Sequence, residues 1–239
     1  MAFDQVKSFI EKSFDLKIYR NSLPKGMDSF FEIKNLAKHY SIPIDTFFDV
    51  GANIGQSTVA FKEEFPSAQV YAFEPILNTV KQFESRTKNL SSVYIHPMAL
   101  GSRHEEKEIS IGIRSDLFSL NETISSGEKQ KIVINTLDEI IDEFNLSRIS
   151  VLKIDTEGHD IEVLHGAVKS LERGIIDFIQ VETTLLRNNG KFIHINDFTD
   201  LLKPLGYDLM SISDQEGWHI RGPFVFCNAL FQKSREWYS

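Results

Sequence analysis

Carboxylates stand at the ends of short apolar runs in this chain, and their neighbours limit the chemistry open to each. Asp49 sits near the end of Thr46-Phe47-Phe48-Asp49-Val50 and leads into Gly51-Ala52-Asn53-Ile54-Gly55. Glu74 closes Gln69-Val70-Tyr71-Ala72-Phe73. Asp155, with Glu157 and His159 just behind it, closes Ser150-Val151-Leu152-Lys153-Ile154, and Glu182 closes residues 175–181. A carboxylate or imidazole within hydrogen-bond reach of an alcohol can take its proton and turn it into a nucleophile. Asp155, Glu157, His159 and Glu182 are the titratable groups best placed for that. Each also has a plain structural reading: Asp155 and Glu182 as partners of loop backbone, His159 as a solvent-facing residue at a helix start, Glu157 as a helix cap. Converging carboxylates are also the kind of ligand that Mg2+, a cation of hard oxygen ligands, takes, though the metal is the less favoured reading. Nothing in their spacing fixes a ligand geometry, so no metal is assigned, and the remaining histidines show no metal-ligand spacing.

The Gly51 segment reads as a buried strand, a tight turn and the start of a helix. Gly51 and Gly55 let the backbone bend and approach something closely. A strand feeding a helix through such a turn presents backbone N–H groups to a polar or anionic ligand. A nicotinamide dinucleotide calls for G-x-G-x-x-G. Aligned on Gly51, this chain places Asn53 and Gln56 at the second and third glycine positions, so the pattern fails twice. Asp49 would repel a pyrophosphate and attract an ammonium group. An amino-acid-bearing cofactor fits better, with S-adenosylmethionine the obvious candidate: Asp49, Gly51, Asn53 and Gly55 would line its methionine half. Gly51→Val is then expected to remove cofactor binding and leave the fold intact. Glu74 ends the next strand, about twenty residues further on, where a carboxylate accepts hydrogen bonds from both ribose hydroxyls. The alternative is an ordinary surface glutamate.

The elements that must position these groups alternate as strand and helix, which predicts an α/β fold with a parallel sheet. Val6, Phe9, Ile10 and Phe14 recur at helical spacing, and Phe30, Ile33, Leu36, Ala37 and Tyr40 do so again after Pro24-Lys25-Gly26. Stripes of this kind serve a core or an interface, such as a homo-oligomer built through the N-terminal helices, or cover a substrate. A helix is expected over 79–88 and a strand over Val93-Tyr94-Ile95-His96. Ala99-Leu100-Gly101 reads as a loop able to reach an adenine ring. Residues 105–112 and 131–135 alternate like strands of an inserted β-element, joined by a polar loop over 115–129 in which Ser119 lies above the expected cofactor region. Thr136 with Glu139 three residues on forms a capping box for a helix through Phe144. Further helices are expected from Asp160 and over 197–202, with last strands over 207–212 and 223–231 and a loop at Gln215-Glu216-Gly217-Trp218-His219. In an open α/β sheet, sites gather at the carboxyl ends of strands where strand order reverses. That brings Asp155 and its neighbours beside the glycine turn.

Asp49-Val50-Gly51-Ala52-Asn53-Ile54-Gly55-Gln56-Ser57, Ala72-Phe73-Glu74-Pro75 and Leu152-Lys153-Ile154-Asp155-Thr156-Glu157-Gly158-His159-Asp160 together resemble the FkbM-like family of S-adenosylmethionine-dependent methyltransferases. The similarity runs from about Asp45 to Glu182 and more weakly to about Gln232. The resemblance implies a class I, Rossmann-like fold whose sheet is mostly parallel with an antiparallel edge. The chain would then divide into an N-terminal helical extension, 1–43, and a methyltransferase domain, 44–239. The implied activity is often methylation of a hydroxyl on a natural product or glycan. Such a transfer is an in-line displacement with a neutral leaving group, so the enzyme mainly holds the acceptor oxygen behind the methyl carbon. Asp155, with His159 or Glu182, would orient and deprotonate it. The alternatives are an N-methyltransferase acting on an amine and a cofactor-binding protein that has lost its activity.

Composition sets the remaining bounds. With 239 residues and 41% hydrophobic content, the chain can bury a real core and is too apolar for a disordered one. No run approaches the ~18 apolar residues of a membrane span. The net charge of −8 argues against nucleic acid as the main partner, because phosphate binding needs a basic surface. Met1-Ala2-Phe3-Asp4-Gln5 lacks the basic and apolar regions of a signal peptide. The single cysteine, Cys227, cannot form an internal disulfide. Both point to the cytoplasm, while a small-molecule or glycan substrate is what the family resemblance implies.

Overall fold

The computed structural model describes residues 26–111, 128–187, 192–217 and 224–235. In chain order its first elements are α1 (Ser29–Tyr40), β1 (Thr46–Val50), α2 (Gln56–Glu64), β2 (Gln69–Phe73), α3 (Leu77–Thr87) and β3 (Val93–His96). Then come β4 (Ala99–Leu100), β5 (Glu105–Ile111), β6 (Glu128–Asn135), α4 (Leu137–Glu143) and β7 (Ile149–Ile154). The last are α5 (Asp160–His165), α6 (Val168–Arg173), β8 (Ile176–Thr183), α7 (Ile195–Leu202), β9 (Tyr207–Gly217) and β10 (Phe224–Lys233).

Seven strands form one sheet in the order β3-β2-β1-β7-β8-β10-β9. The pairs from β3 to β8 are parallel, and β10 runs antiparallel to both β8 and β9. The antiparallel element therefore stands one place in from the rim, with β9 outside it. The chain works outward from β1 to β3 and then returns to lay β7 on the other side of β1. That reversal is the switch point at which ligands bind in open α/β sheets.

Alternation along the strands decides what each face packs against. Phe47, Val151 and Phe178 are register neighbours on one face and share a buried cluster with Ile33 and Ala37 of α1 and Phe61 of α2. Phe47 stacks on Phe61 at 4.0 Å between ring centroids, and Phe30 meets both edge-on. Burial of each such ring contributes about 1.5–3 kcal/mol. The stripe of α1 is thus spent on this core. The other face carries Phe48, Val50, Leu152, Ile154, Ile179 and Val181, covered by apolar residues of α4 to α7. At its N-terminus α1 is tied to the far edge of the sheet. Ser29 Oγ lies 2.8 Å from Ser213 Oγ and donates to Asp214, which also receives the side-chain amide of Asn228 at 3.0 Å.

The inserted β-element forms its own sheet in the order β4-β6-β5. Ala99-Leu100, expected as a loop, is a short strand paired with Ile134 and Asn135; two residues are too few to show a period. The capping box of Thr136 and Glu139 is present at the start of α4. The expected 79–88 helix begins two residues earlier, at Leu77, and Gln215 to Gly217 extend β9 instead of forming a loop. The helix expected around Val6 to Phe14, and Ser119 with most of its loop, lie outside the described residues. Among the described residues no helix is long and apolar enough to cross a membrane.

Candidate active site

The carboxyl ends of β1 and β7 meet at the switch point. Gly51 and Ala52 both donate their N–H to Phe73 O, at 3.0 and 3.1 Å, and Asp155 N–H donates to Val50 O at 3.0 Å. Gly51, Asn53 and Gly55 have φ of 78°, 47° and 89°, a left-handed region that favours glycine. Close approach is the second reason for the glycines. A Cβ on Gly51 would lie 1.9 Å from Asp155 O, and one on Gly55 would lie 3.0 Å from the Phe83 ring. Gly55 is the N-cap of α2, with no side-chain cap, so the first N–H groups of that helix keep their capacity to donate.

Asp49 is fully buried. Its Oδ2 accepts from Thr58 Oγ1 at 2.7 Å, while Oδ1 has no hydrogen-bond partner and lies 3.9 Å from Lys153 Nζ. Burial pushes its carboxyl above the ordinary value, against the pull of Lys153 and Thr58. Glu74 is nearly as buried and bridges two loops. Its Oε2 accepts from Asn53 N–H at 3.1 Å and its Oε1 from Ile76 N–H at 2.9 Å. Burial pushes it up to about 7, restrained by those same bonds. Each carboxylate oxygen has a second lone pair, so Glu74 can tie down the glycine turn and still accept from hydroxyl groups.

Asp155 and Glu182 each follow the last register pair of their strands, Ile154 and Val181. Asp155 Oδ2 accepts from Lys153 Nζ at 2.9 Å. Burial, followed by the charges of Asp155 and Glu157, pushes Glu182 up to about 8 despite Lys153. On the other side, Glu182 is the register partner of Asn228 on β10, which pairs in turn with Ser213 on β9. A polar row thus crosses the sheet on the α1 face, above the apolar cluster. Glu157 has a φ of 53° and adds its charge to the group. The loop that carries it is organised by Asp160, whose two oxygens accept from Thr156 and Gly158 N–H, each at 3.2 Å. Burial and the Asp155 charge push Asp160 up to about 6.

His159 has a different setting. It occupies the N-cap position of α5 without a side-chain cap. Its Nε2 would stand 3.2 Å from a Cβ on Gly101. The charges that act on it come from Glu162, Lys107 and Glu105, while burial lowers its pKa. It is a half-buried ring packed toward the small sheet, not a solvent-facing one. Ala99 is buried with Ile132 and Ile134. Among the described residues no set of three or more His, Cys, Asp or Glu side chains is arranged to hold a metal.

Lys153 and Asp160 were given no role in the sequence reading. The signal for Lys153 was a lone cation inside an otherwise apolar strand, Val151-Leu152-Lys153-Ile154; strands buried on both faces read as unbroken apolar runs. Its side chain is 7% exposed. Burial pulls its pKa down, but Asp155 and Asp49 outweigh that and hold it well above the usual lysine value.

This sheet order, with its reversal between β1 and β7 and its inserted antiparallel β10, is that of the class I, Rossmann-like methyltransferases. The Methyltransferase FkbM domain matches residues 49–209, well over half of the chain, and the chain belongs to that family. It is an enzyme, a methyltransferase. Methyltransferase 1 of Beauveria bassiana (strain ARSEF 2860) is 26% identical over 212 residues, covering 77% of this chain and 83% of its own. The hexuronic acid methyltransferase AglP of Haloferax volcanii is 28% identical over 140 residues, or 58% of this chain; the match spans 55% of that protein. Among solved structures, an rRNA methylase from Streptococcus thermophilus superposes with a TM-score of 0.47 at 13% identity, over 85% of this chain and 95% of that one.

Proposed function

We propose that the protein binds S-adenosylmethionine at the β1–β7 switch point and transfers its methyl group to a hydroxyl of a small molecule, natural product or glycan. The cofactor supplies a methyl group activated on a sulfonium. Gly51, Asn53 and Gly55 form the backbone cradle, Asp49 lies beneath it, and Glu74 receives the ribose hydroxyls. Asp155 and Glu182 orient the acceptor and take its proton. The observation that carries this reading is their juxtaposition: two carboxyl-bearing residues at adjacent strand ends, the backbone carbonyl of one, Asp155, lying against the turn that would hold the cofactor. An acid pushed up to about 8 and a partner hydrogen-bonded to a lysine suit a proton relay near neutral pH. A sugar acceptor agrees with the hexuronic acid named for the haloarchaeal relative.

Mg2+ is not needed for this chemistry. The ammonium of Lys153 already stands 2.9 Å from Asp155 and 3.9 Å from Asp49 and takes up part of the negative charge that a metal would need. The test is calorimetry with S-adenosylmethionine and S-adenosylhomocysteine, followed by transfer of labelled methyl into a fractionated host extract. Micromolar binding and label in a methyl ether are expected. No binding, or label only on an amine, would reject the reading.

A further inference from the structure

Three elements face the ammonium of Lys153. From β1 comes Asp49, with Oδ1 3.9 Å from Nζ; from the end of its own strand Asp155, with Oδ2 at 2.9 Å. From β8 comes the charge of Glu182. A lysine is buried in a sheet only where anions replace its lost hydration. Here all three of those anions are groups on which the reaction depends, Asp49 on the cofactor side and Asp155 and Glu182 on the acceptor side. Among the described residues neither Asp49 nor Asp155 forms an ion pair with any other cation.

We propose that Lys153 is a positioning residue for methyl transfer, its single buried ammonium aiming Asp155 at the acceptor and balancing Asp49 beneath the glycine turn. The proposal rests on the cofactor and base assignments made above. Asp49 is fully buried, with one oxygen bonded to Thr58 and the other without a hydrogen bond. The charged groups facing it are Lys153 of β7, Asp155 just after β7 and Glu74 just after β2. Without Lys153 only anions remain near it, and a carboxylate in that setting takes up a proton. A neutral acid cannot balance the ammonium of an amino-acid cofactor. Asp155, at 34% side-chain exposure, loses its side-chain hydrogen bond to Lys153 when that residue is removed, and its carboxylate is then free to turn.

Lys153→Met keeps the length and burial of the side chain and removes the charge; Lys153→Arg keeps the charge. S-adenosylhomocysteine affinity is measured calorimetrically from pH 6 to 9, in buffers of different ionisation enthalpy so that protons released on binding are counted. At pH 7 the methionine variant should bind at least tenfold more weakly, recover as the pH rises, and release more protons than the wild type. The arginine variant should stay within about threefold of the wild type. A lysine that only fills space would lower the melting temperature of Lys153→Met and leave affinity and proton count unchanged, and that result overturns the proposal. If Lys153→Met does not fold, the wild-type protein decides. In lysine-15N-labelled protein the Nζ resonance of Lys153 should move when S-adenosylhomocysteine binds, and a resonance that stays in place overturns the proposal. Absence of S-adenosylhomocysteine binding by the wild type would overturn the cofactor assignment itself, and the proposal with it.

Discussion

The backbone of Gly51 lies against the carbonyl of Asp155 so closely that a Cβ at Gly51 would stand 1.9 Å from that oxygen. The turn expected to hold the cofactor and the strand end expected to hold the base are therefore in direct main-chain contact. Gly51→Val cannot be the clean binding mutant that the sequence suggested. It must push β1 and β7 apart at their carboxyl ends as well as strain a residue at φ 78°. We expect a loss of at least ~2 kcal/mol, seen in thermal unfolding as a fall of roughly 2–4 °C per kcal/mol for a chain of this size. A variant with unchanged melting temperature would show that the contact is not made.

Glu74 gives a prediction with a defined sign. Its carboxyl, pushed up to about 7 in the ligand-free protein, must be ionised to accept from both ribose hydroxyls. Cofactor binding therefore releases a proton below pH 7. Affinity should rise with pH from about 6 to 8 and then level off. Glu74→Gln should flatten that rise and weaken binding by at least about tenfold. A flat profile in the wild type would place the ribose elsewhere.

Asp155 and Glu182 should part company with His159 in steady-state kinetics. With an acceptor in hand, Asp155→Asn is expected to lower kcat by roughly 10²–10⁴-fold while S-adenosylhomocysteine affinity stays nearly intact. Glu182→Gln should lower kcat and remove an ionisation near pH 8 from the profile. His159→Ala, which strips a ring from Gly101, should cost stability more than turnover. Full activity in both carboxylate variants would leave positioning alone as the mechanism. Activity abolished by a chelator and restored by Mg2+ would replace the base with a metal site.

Buried acids also shape the response of the fold to pH. Asp160, Glu74 and Glu182 are pushed up to about 6, 7 and 8. A carboxyl whose folded pKa is raised gives its full contribution below its unfolded value and loses it as pH climbs through the folded value. His96 and His159, lowered by burial, act in the opposite direction and weaken the fold as pH drops below about 6.5. The melting temperature should be highest near pH 5, where the histidine and carboxyl effects offset each other, and decline as pH rises to about 8, with the upper part of the decline absent in Glu182→Gln. A plateau from pH 6 to 9 in the wild type would contradict the burial of these groups.

Much of this was legible in the chain. The β1 and β2 strands appear where the apolar runs placed them; β1 is buried along its whole length, and a strand buried on both faces writes its length directly into the sequence. The Thr136–Glu139 capping box was equally plain, since capping is a local affair of four residues. What stayed hidden depends on how a loop turns back on itself or on partners distant in sequence. Asp160 looks like any helix-start acid until its oxygens are seen on Thr156 and Gly158. Lys153 looks like an interruption until β1 brings Asp49 alongside. Ala99-Leu100 has no strand signature of its own and becomes a strand only because β6 passes beside it. His159 stood in the motif next to Asp155, but a helix start turns successive side chains outward on different bearings.

The packing of Gly166 against Gly101 carries a mechanical consequence. A Cβ on Gly166 would stand 2.0 Å from the Gly101 carbonyl oxygen, so the end of α5 and the exit from β4 touch backbone to backbone with no slack between them. Asp138 N–H adds a hydrogen bond to Gly166 O at 2.9 Å. The hairpin of β5 and β6 is thus geared to the helix whose first residue, Asp160, holds the Asp155–Gly158 loop in shape. A side chain at Gly166 would force the end of α5 away from the small sheet, and with it the helix whose Asp160 carboxyl ties the Thr156 and Gly158 amides.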